Sequence, residues 1–450
     1  MTSPIVVDEG RAGAATPLYL LAPGDPLPAG AEAMANIQQF EGAPDQVAYY
    51  DGGVLIGAGD GPDPLALGAA AMKLPQGDYR LASAPEGARE DLTVLGFALG
   101  AYRFHRYLPE RGPAPTLIID SEQLAEDANG KAAAMALTRD LINTPAEDMG
   151  PDALEAAVYR LGEEFGAEVS SVSGDDLVSG FPLVHAVGRA AAIPPRLMEL
   201  RWSGGSAGSF TLIGKGVCFD SGGLNIKNGK GMALMKKDMG GAGTALGLAH
   251  LIMARKLPIS FRMLIPAVEN AVSGSSFRPG DVFTSRAGQT VEISNTDAEG
   301  RLILADAISY AAEEKPDRIM TLATLTGAAR VALGPDLPPI YSTDEDFQRA
   351  ICETGMEIGD PLWPMPFWDR YNTYLRSDIA DVNHAASTPF AGSITAALFL
   401  KRFCADISFT HIDTFAWNAS NLPGRPKGGE ALTLRAIFTT LEREFSRQSQ

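Results

Sequence analysis

The sequence predicts an α/β protein with a small N-terminal α/β domain and a larger C-terminal domain, whose mixed, largely parallel sheet is flanked by helices. Two observations support two domains: the chain has 450 residues, and its composition is globular, with 45% hydrophobic and 20% charged residues. One hydrophobic core rarely organises a chain of this length, so two cores are expected. A third observation, the alternation of helix-like and strand-like segments after residue 151, supports the sheet.

The N-terminal third contains short apolar runs at residues 17–22, 46–50 and 92–99, which are separated by Gly- and Pro-rich turn signals. This pattern is typical of short strands and helices in a small α/β unit. Residues 121–143 are rich in Ala and Leu and stop just before Pro145, whose ring cannot continue a helix, so a long helix is predicted there. We place the domain junction on this helix. The predicted divisions are an N-terminal α/β domain at 1–130, a linker helix at 131–150 and the larger domain at 151–450.

In the C-terminal part, the periodicity of apolar residues predicts helices at residues 153–165, 241–255 and 301–314. Apolar runs of strand length alternate with these helices, at residues 210–217, 261–268, 318–324 and 407–413. Strands that are separated by helices are usually connected in parallel, so we expect a mixed, largely parallel sheet with helices on both faces.

The composition also argues against several classes of protein. A formal net charge of −18 and a pI near 4.8 disfavour a general surface for nucleic acid or anionic membranes. The three cysteines, Cys218, Cys352 and Cys404, are too few and too scattered for a disulfide framework. The N-terminus does not resemble a signal peptide, and no run of about 20 apolar residues could span a membrane. We therefore expect a soluble cytoplasmic protein that binds neither membranes nor nucleic acid.

Carboxylates are concentrated beside glycines in two segments, residues 212–241 and 295–302. Asp297, Glu299 and Arg301 are spaced by two, which in an extended segment would place all three side chains on one face. The first segment adds further carboxylates, and buried carboxylates need a cation to be stable. The four candidates carry more negative charge than one divalent ion neutralises, so the pattern favours a two-metal site. These four carboxylates are Asp220, Asp238, Asp297 and Glu299.

Simpler interpretations of the same residues exist. A lone Asp-x-Glu pair is usually a solvated edge, and each other carboxylate alone would more often be a turn or cap residue. Lys236 and Lys237 are expected to be solvated. The Gly-Lys pairs at 214–215 and 229–230 do not form a phosphate-binding loop, because neither has the required preceding glycine or a following Ser or Thr. Spacing alone thus predicts a metal-dependent enzyme and no more.

These segments resemble the leucine aminopeptidase family of metallopeptidases, also called the cytosol aminopeptidase family. Residues 295–302, NTDAEGRL, look like the signature octapeptide of the family, and residues 214–223, GKGVCFDSGG, look like its other metal-binding stretch. Residues 139–151, 194–197 and 322–334 match in order and approximate spacing. The resemblance covers about 135–415, and it implies that residues 151–450 form a catalytic metallopeptidase domain.

The resemblance implies two divalent metal ions, zinc or manganese, held by five residues. Asp220 and Glu299 would bridge the two ions, Lys215 and Asp238 would complete the tighter site, and Asp297 would complete the more exchangeable one. A lysine ligand must be neutral, so we expect the metals and burial to lower the pKa of Lys215.

The resemblance also implies two catalytic residues. Lys227 would stay charged and polarise the scissile carbonyl, and Arg301 would bind a bicarbonate ion that serves as the general base. Substrate-binding positions of the family match Met235, Asn295, Thr324, Leu325 and Gly327. For Met235, the role of an ordinary core methionine stays open.

The implied activity is removal of the first residue from peptides that have a free N-terminus. Only an unprotonated amine can ligate a cation, so mildly alkaline pH should favour the reaction. The implied assembly is a homohexamer. Phe415 and Trp417 stand where the family has small residues near its specificity pocket, and large aromatics should narrow or reshape that pocket, which leaves a preference for leucine open. Ala233 and Lys237 also depart from the family pattern.

Two other functions are considered beside the aminopeptidase. The first is a non-catalytic scaffold or DNA-binding regulatory protein on the same fold; the net charge and the intact ligand set count against it. The second is a two-metal phosphoesterase, against which the lysine ligand at position 215 argues.

Overall fold

The computed structural model describes residues 3–61, 63–108 and 112–447. Within them the chain forms two compact units. The first contains the described residues up to Ala136 together with Asn418–Gly428. The second contains Leu137–Trp417 and the described residues from Gly429 onward. The predicted fold class, a small N-terminal α/β domain and a larger C-terminal domain with a mixed, mostly parallel sheet, is confirmed.

The first unit is built on a six-stranded sheet. Its strands are β1 (Ile5–Val7), β2 (Thr16–Leu21), β3 (Val47–Tyr50), β4 (Gly53–Gly57), β5 (Asp78–Ser83) and β6 (Thr116–Ile119). Its helices are α1 (Glu9–Ala12), α2 (Glu32–Ile37), α3 (Gly68–Lys73) and α4 (Glu90–Gly100), and α5 (Glu122–Asn143) continues into the second unit. The strand order is β1-β6-β5-β2-β4-β3, and every pair is parallel except β3 with β4. The predicted long helix at 121–143 is confirmed as α5.

The second unit contains most of the strands. They are β7 (Glu168–Ser173), β8 (Arg196–Ser203), β9 (Ser209–Gly214), β10 (Gly216–Asp220), β11 (Ser260–Asn270), β12 (Val282–Thr284), β13 (Thr290–Glu292), β14 (Arg318–Ala323), β15 (Pro339–Ser342), β16 (Trp363–Pro364), β17 (Val382–Asn383) and β18 (Ser408–Asp413). Two short strands, β19 (Trp417–Asn418) and β20 (Gly428–Gly429), pair with each other.

The helices of the second unit follow the strands in alternation. They are α6 (Pro151–Phe165), α7 (Gly174–Gly180), α8 (Pro182–Gly188), α9 (Gly229–Met232), α10 (Gly240–Ala254), α11 (Glu299–Ala312), α12 (Gly327–Leu333), α13 (Glu345–Glu357), α14 (Gly392–Lys401) and α15 (Leu434–Arg447), with 3-10 helices at Met235–Met239 and Asp369–Leu375. No helix among the described residues is both long enough and apolar enough to cross a membrane.

The nine-stranded sheet of the second unit determines where the loops meet. Its order is β16-β15-β18-β14-β9-β11-β8-β7, with β10 beside β11. The central strands β18, β14, β9 and β11 are parallel to one another, whereas β15, β8 and β7 pair antiparallel with their neighbours. Parallel strands end at the same edge of a sheet, so the loops that follow β9, β14 and β18 come together there.

The predicted elements of this unit are largely present. The helices expected at 153–165 and 241–255 are α6 and α10, and the strands expected at 261–268, 318–324 and 407–413 are β11, β14 and β18. The run at 210–217 is divided into two strands, β9 and β10, which separate at Lys215.

The prediction that Asp297, Glu299 and Arg301 share one face of an extended segment is wrong. Glu299 is the first residue of α11 and Ala298 is its N-cap, so Glu299 and Arg301 belong to one helical turn. Residues two apart on a helix point about 200° away from each other, and their side chains therefore diverge.

Asp306, on α11, supports the start of α8. Its buried carboxylate accepts hydrogen bonds from the backbone N–H groups of Leu183 (2.7 Å), Val184 (3.4 Å) and Arg286 (2.8 Å). Burial raises the pKa of Asp306 to about 7, although the three N–H groups favour its ionised form. The side chain thus satisfies donors at a helix N-terminus that has no side-chain cap of its own.

We predict that Asp306→Asn lowers the free energy of unfolding by about 1–3 kcal/mol, because the amide NH₂ cannot accept and leaves a buried N–H unpaired. Urea unfolding followed by circular dichroism measures the change. Asp406→Asn, at an exposed position, is the matched control and should change stability by less than about 0.5 kcal/mol. Equal effects of the two substitutions would contradict a capping role for Asp306.

Candidate metal centre

Lys215 is the central side chain of the site, and the sheet positions its backbone. Lys215 N donates to the carbonyl oxygen of Leu322 (2.9 Å), and Ala242 N donates to the carbonyl oxygen of Lys215 (2.9 Å). The residue therefore lies between β9 and β10 while remaining bonded to β14 and α10. Its side chain is buried, with an exposed fraction of 2%, although it ends in an amine.

Three acceptors surround the amine of Lys215. Its Nζ lies 2.7 Å from Asp238 Oδ2, 3.0 Å from Glu299 Oε1 and 3.0 Å from the carbonyl oxygen of Thr324. Thr324 also fixes Asp238, because its Oγ1 donates to Asp238 Oδ1 at 2.7 Å. Lys215 thus connects the 3-10 helix at Met235–Met239, the start of α11 and the end of β14.

Gly300 allows α11 to approach Lys215 closely. A Cβ atom on Gly300 would lie 2.5 Å from Cε and 2.7 Å from Nζ of Lys215. The amine cannot move aside without leaving Asp238 and Glu299. A side chain at position 300 would therefore displace Lys215, whereas a Cβ on Gly229, in α9, would meet nothing within 4 Å.

Asp220, at the end of β10, is oriented by two donors. Its Oδ1 accepts hydrogen bonds from Gly222 N (2.9 Å) and from Asn270 Nδ2 (2.8 Å). Asn270, at the end of β11, is 1% exposed, and its Nδ2 also donates to the carbonyl oxygen of Thr296 (3.0 Å). One buried amide thus links the two carboxylate-bearing loops.

A second ammonium lies among the carboxylates. Lys227 Nζ is 2.7 Å from Asp220 Oδ2 and also contacts Asp297 Oδ1. One oxygen from each of Asp220, Asp297 and Glu299 lies within 4.8 Å of the others. Four carboxylates and two ammonium groups therefore occupy one small region, with an excess of negative charge.

That excess changes the pKa values of the group. Burial and the neighbouring Asp220 raise the pKa of Glu299 to about 8 and that of Asp297 to about 6. Burial disfavours the Lys215 ammonium, but the carboxylates of Asp238, Glu299 and Asp220 outweigh burial and raise its pKa. The carboxylates therefore favour the charged form of Lys215. Lys215 could become neutral, as a metal ligand must be, only if further positive charge such as a metal ion lay beside it.

The donor set fits divalent cations. Its carboxylates are buried or half-buried, and Glu299 Oε2 is buried without a hydrogen-bond partner among the described residues. A buried carboxylate oxygen that is left unpaired is costly, and a cation would satisfy it. The residues that could hold such cations are Lys215, Asp220, Asp238, Asp297 and Glu299.

Arg301 and Asn295 lie outside the wall of the cavity described below. Arg301 is buried, and its Nη1 donates to the carbonyl oxygen of His384 at 2.8 Å. Its guanidinium makes no other hydrogen bond or ion pair within the described part of the chain, and burial lowers its pKa to about 10. Asn295 is exposed, and its Oδ1 accepts a hydrogen bond from Asp297 N at 3.0 Å.

The carboxylates open into a cavity of roughly 350 Å³. Four of the five expected substrate-binding positions line it, namely Met235, Thr324, Leu325 and Gly327. Phe415 lines it too, whereas Trp417 is not part of the wall and lies under the Lys236 ammonium, 5.5 Å from its ring centroid.

The expectation that Lys237 is solvated is wrong. Lys237 is 5% exposed and lines the cavity, because it precedes Asp238 in a buried 3-10 helix. Its Nζ lies 4.6 Å from the centroid of the Phe415 ring, and burial lowers its pKa to about 8. Lys236 is half-buried, and its Nζ donates to the carbonyl oxygen of Asn143 at 2.6 Å.

Sequence reasoning also missed Asn270 and a role for Asp413. Asp413 Oδ1 accepts from Leu325 N (2.9 Å), and its Oδ2 accepts from Thr326 Oγ1 (2.6 Å), so it holds the loop after β14. Both residues are polar and stand at the carboxyl end of a buried strand, β11 or β18. That position was the one available signal.

The fold and the site together define an α/β protein with a cluster of carboxylates beside its parallel strands, and sequence comparison gives the family. The description "Cytosol aminopeptidase family, catalytic domain" matches residues 136–438, and "M17 aminopeptidase, N-terminal domain" matches residues 26–119. A probable cytosol aminopeptidase of Syntrophotalea carbinolica is 39% identical over 370 residues, covering 78% of this chain and 74% of that protein. One of Geobacter sp. strain M21 is 38% identical over 388 residues, covering 81% and 77%.

Solved structures agree with these matches. The cytosol aminopeptidase of Coxiella burnetii is 41% identical, with a TM-score of 0.90 over 98% of this chain and 99% of that one. The bottromycin maturation enzyme BotP, in complex with Mn, is 29% identical, with a TM-score of 0.86 over 96% and 99%. This chain belongs to the cytosol aminopeptidase family, whose members are metal-dependent, and the resemblance stated from its motifs is confirmed. It is an aminopeptidase, a hydrolase of peptides.

We predict that Gly300→Ala lowers kcat/KM for an aminoacyl amide by about 10²-fold, because the added methyl would lie 2.5 Å from Lys215 Cε and a displacement of roughly 1 Å in a site costs about that much. The melting temperature should fall as well, because displacing the amine leaves the buried carboxylates of Asp238 and Glu299 without their partner, and this outweighs the higher helix propensity of alanine. Gly229→Ala is the matched control and should keep its activity. An active Gly300→Ala enzyme would show that the site does not need Lys215 where it lies.

Proposed function

We propose that this aminopeptidase uses two divalent cations, zinc or manganese, to remove the first residue from peptides with a free N-terminus. The observation that carries the proposal is the convergence of five donor side chains from three parts of the chain: β9–β10, the 3-10 helix Met235–Met239 and the start of α11 with the loop before it. These donors are Lys215, Asp220, Asp238, Asp297 and Glu299. The manganese in the similar bottromycin maturation enzyme supports the choice of metals.

When bound, the cations would supply Lewis-acid polarisation of the scissile carbonyl and lower the pKa of a water molecule. The chain itself supplies rigid positioning. Thr324 and Lys215 hold Asp238, while Gly222 N and Asn270 hold Asp220. Such fixed donors hold reacting groups in place without reorganisation during the reaction.

Lys227 is proposed to stabilise negative charge on the scissile carbonyl oxygen. Its ammonium is 16% exposed beside the cavity, and the carboxylate of Asp220 outweighs burial and raises its pKa, so it stays charged. A fixed cation at this position favours a developing oxyanion more than a neutral carbonyl.

Arg301 is proposed to bind a bicarbonate ion, which would supply the general base for the reaction. The support is the guanidinium itself, of which only Nη1 is hydrogen-bonded within the described part of the chain, to the carbonyl oxygen of His384. No histidine lines the cavity, so no imidazole of the described residues is available there as a base. Arginine pairs well with planar anions because its N–H groups form a fork.

Substrate is proposed to lie along the wall formed by Met235, Thr324, Leu325 and Gly327. Asn295 is proposed to support the site through its side-chain Oδ1, which accepts a hydrogen bond from the backbone N–H of Asp297. A free amine can ligate a cation and an acetylated amine cannot, which restricts the enzyme to unblocked peptides. A cytoplasmic location and a homohexamer complete the proposal, and both rest on family membership.

The metal requirement is tested by chelation. We predict that dialysis against a chelator abolishes hydrolysis of leucine amide and dipeptides, and that Mn²⁺ or Zn²⁺ restores it. Asp297→Asn should lower kcat/KM by about 10²-fold or more and reduce the bound metal, because it removes one charged donor. Asp406→Asn, at an exposed position, is the matched control. A metal-loaded enzyme that ignores a broad panel of unblocked dipeptides would overturn the proposal.

The role of Arg301 is tested by adding bicarbonate to buffer freed of carbon dioxide. We predict that wild-type kcat rises with bicarbonate, whereas Arg301→Gln is slower by about 10²-fold and does not respond. Arg301→Lys, which keeps the charge without the fork, should respond weakly. Arg349→Gln, at an exposed position on α13, serves as control. An Arg301→Gln enzyme that responds like the wild type would exclude this role.

A further inference from the structure

Two cations line the cavity on the side of Phe415. Lys237 Nζ and Arg330 Cζ each lie 4.6 Å from the centroid of the Phe415 ring. All three residues belong to the wall of the cavity that contains the carboxylate cluster. Arg330 is exposed and lies on α12, whereas Lys237 is buried, with an exposed fraction of 5%.

Within the described part of the chain, no carboxylate lies within ion-pair distance of either cation. Among the residues that the structure describes, Lys237 Nζ and the Arg330 guanidinium make no hydrogen bond and no ion pair. A buried ammonium without a counter-ion is costly, and the face of one aromatic ring compensates only in part. The two cations beside one ring also repel each other. An anion close to both would reduce this repulsion and would also offset the cost of burying the Lys237 ammonium.

The nearby carboxylates are already engaged. Asp413 accepts hydrogen bonds from Leu325 N, Thr326 N and Thr326 Oγ1. Asp238 contacts Thr324 and Lys215, and it is one of the proposed metal ligands. The anion that fits Lys237 and Arg330 must therefore come from outside the chain.

We propose that Lys237 and Arg330 bind the side-chain carboxylate of the first residue, so that the enzyme prefers peptides beginning with Asp or Glu. The inference rests on the proposed aminopeptidase function and names its substrate class. Met235, Thr324 and Gly327 line the same cavity and place the first residue beside Phe415. Phe415 fills space that a large apolar side chain would need and orients both cations.

The test compares two isosteric substrates, the 7-amido-4-methylcoumarin derivatives of glutamate and glutamine, which carry no C-terminal carboxylate. With manganese-loaded enzyme, kcat/KM for the glutamate substrate should exceed that for glutamine by at least about tenfold, as a charge-assisted hydrogen bond implies. Lys237→Gln and Arg330→Gln should each bring this ratio towards one, and Arg330→Lys should retain part of it. Lys230→Gln, an exposed cation outside the cavity wall, is the matched control and should keep the ratio.

The outcomes separate this inference from the proposed function. If the enzyme hydrolyses a leucine substrate but its kcat/KM ratio for glutamate over glutamine is near one, the acidic preference is overturned and the aminopeptidase function stands. If the ratio is high but stays high in both variants, the role of Lys237 and Arg330 is overturned and the aminopeptidase function again stands. A third outcome is that the wild type prefers free dipeptides over dipeptide amides and that both variants lose this preference. Lys237 and Arg330 would then bind the C-terminal carboxylate of the substrate, and the assignment to the first residue would be overturned.

If no substrate is hydrolysed, the proposed function fails, and calorimetry with free glutamate and glutamine decides the inference alone. Tighter binding of glutamate that Arg330→Gln abolishes supports the anion site. Equal binding of the two amino acids overturns it.

Discussion

The site depends on one interaction, the burial of the Lys215 amine between Asp238, Glu299 and the Thr324 carbonyl oxygen. An ammonium in such surroundings is stable only because each partner comes from a different segment and none can withdraw without leaving a buried charge. The backbone of Lys215 is hydrogen-bonded to β14 in the sheet, and the absence of a side chain at Gly300 leaves room for the Lys215 side chain.

Much of the fold was predictable because its signals are local. The helices α5, α6 and α10 are long, α5 stops just before a proline and α6 ends at a glycine, and the strands β11, β14 and β18 are largely apolar runs. The break at Lys215 was not predictable from periodicity, because the surrounding residues continue the apolar pattern. A single polar residue in a buried run has many explanations, and only the partners across the sheet distinguish them.

The candidate site shows the same division. Its carboxylates were found from their spacing and from family motifs, but the reason given for 297–301 was wrong, since α11 begins at Glu299. Lys237 was expected in solvent, whereas it lies with Asp238 and Met239 in the buried part of a 3-10 helix, which the sequence pattern does not reveal. Asn270 escaped notice because hydrogen bonds between distant strands leave no periodic trace.

The 3-10 helix Met235–Met239 contributes Met235 and Lys237 to the cavity wall and also contains Asp238, a proposed metal ligand. Selection for a new side-chain preference at position 235 or 237 therefore acts on the same short backbone that presents Asp238. Substitutions in this segment that change the substrate preference would therefore also tend to lower the affinity for metal, unless compensating substitutions arise elsewhere. The substrate preference should then change more readily through substitutions in α12 and in the loop after β18, because neither segment contains a proposed metal ligand.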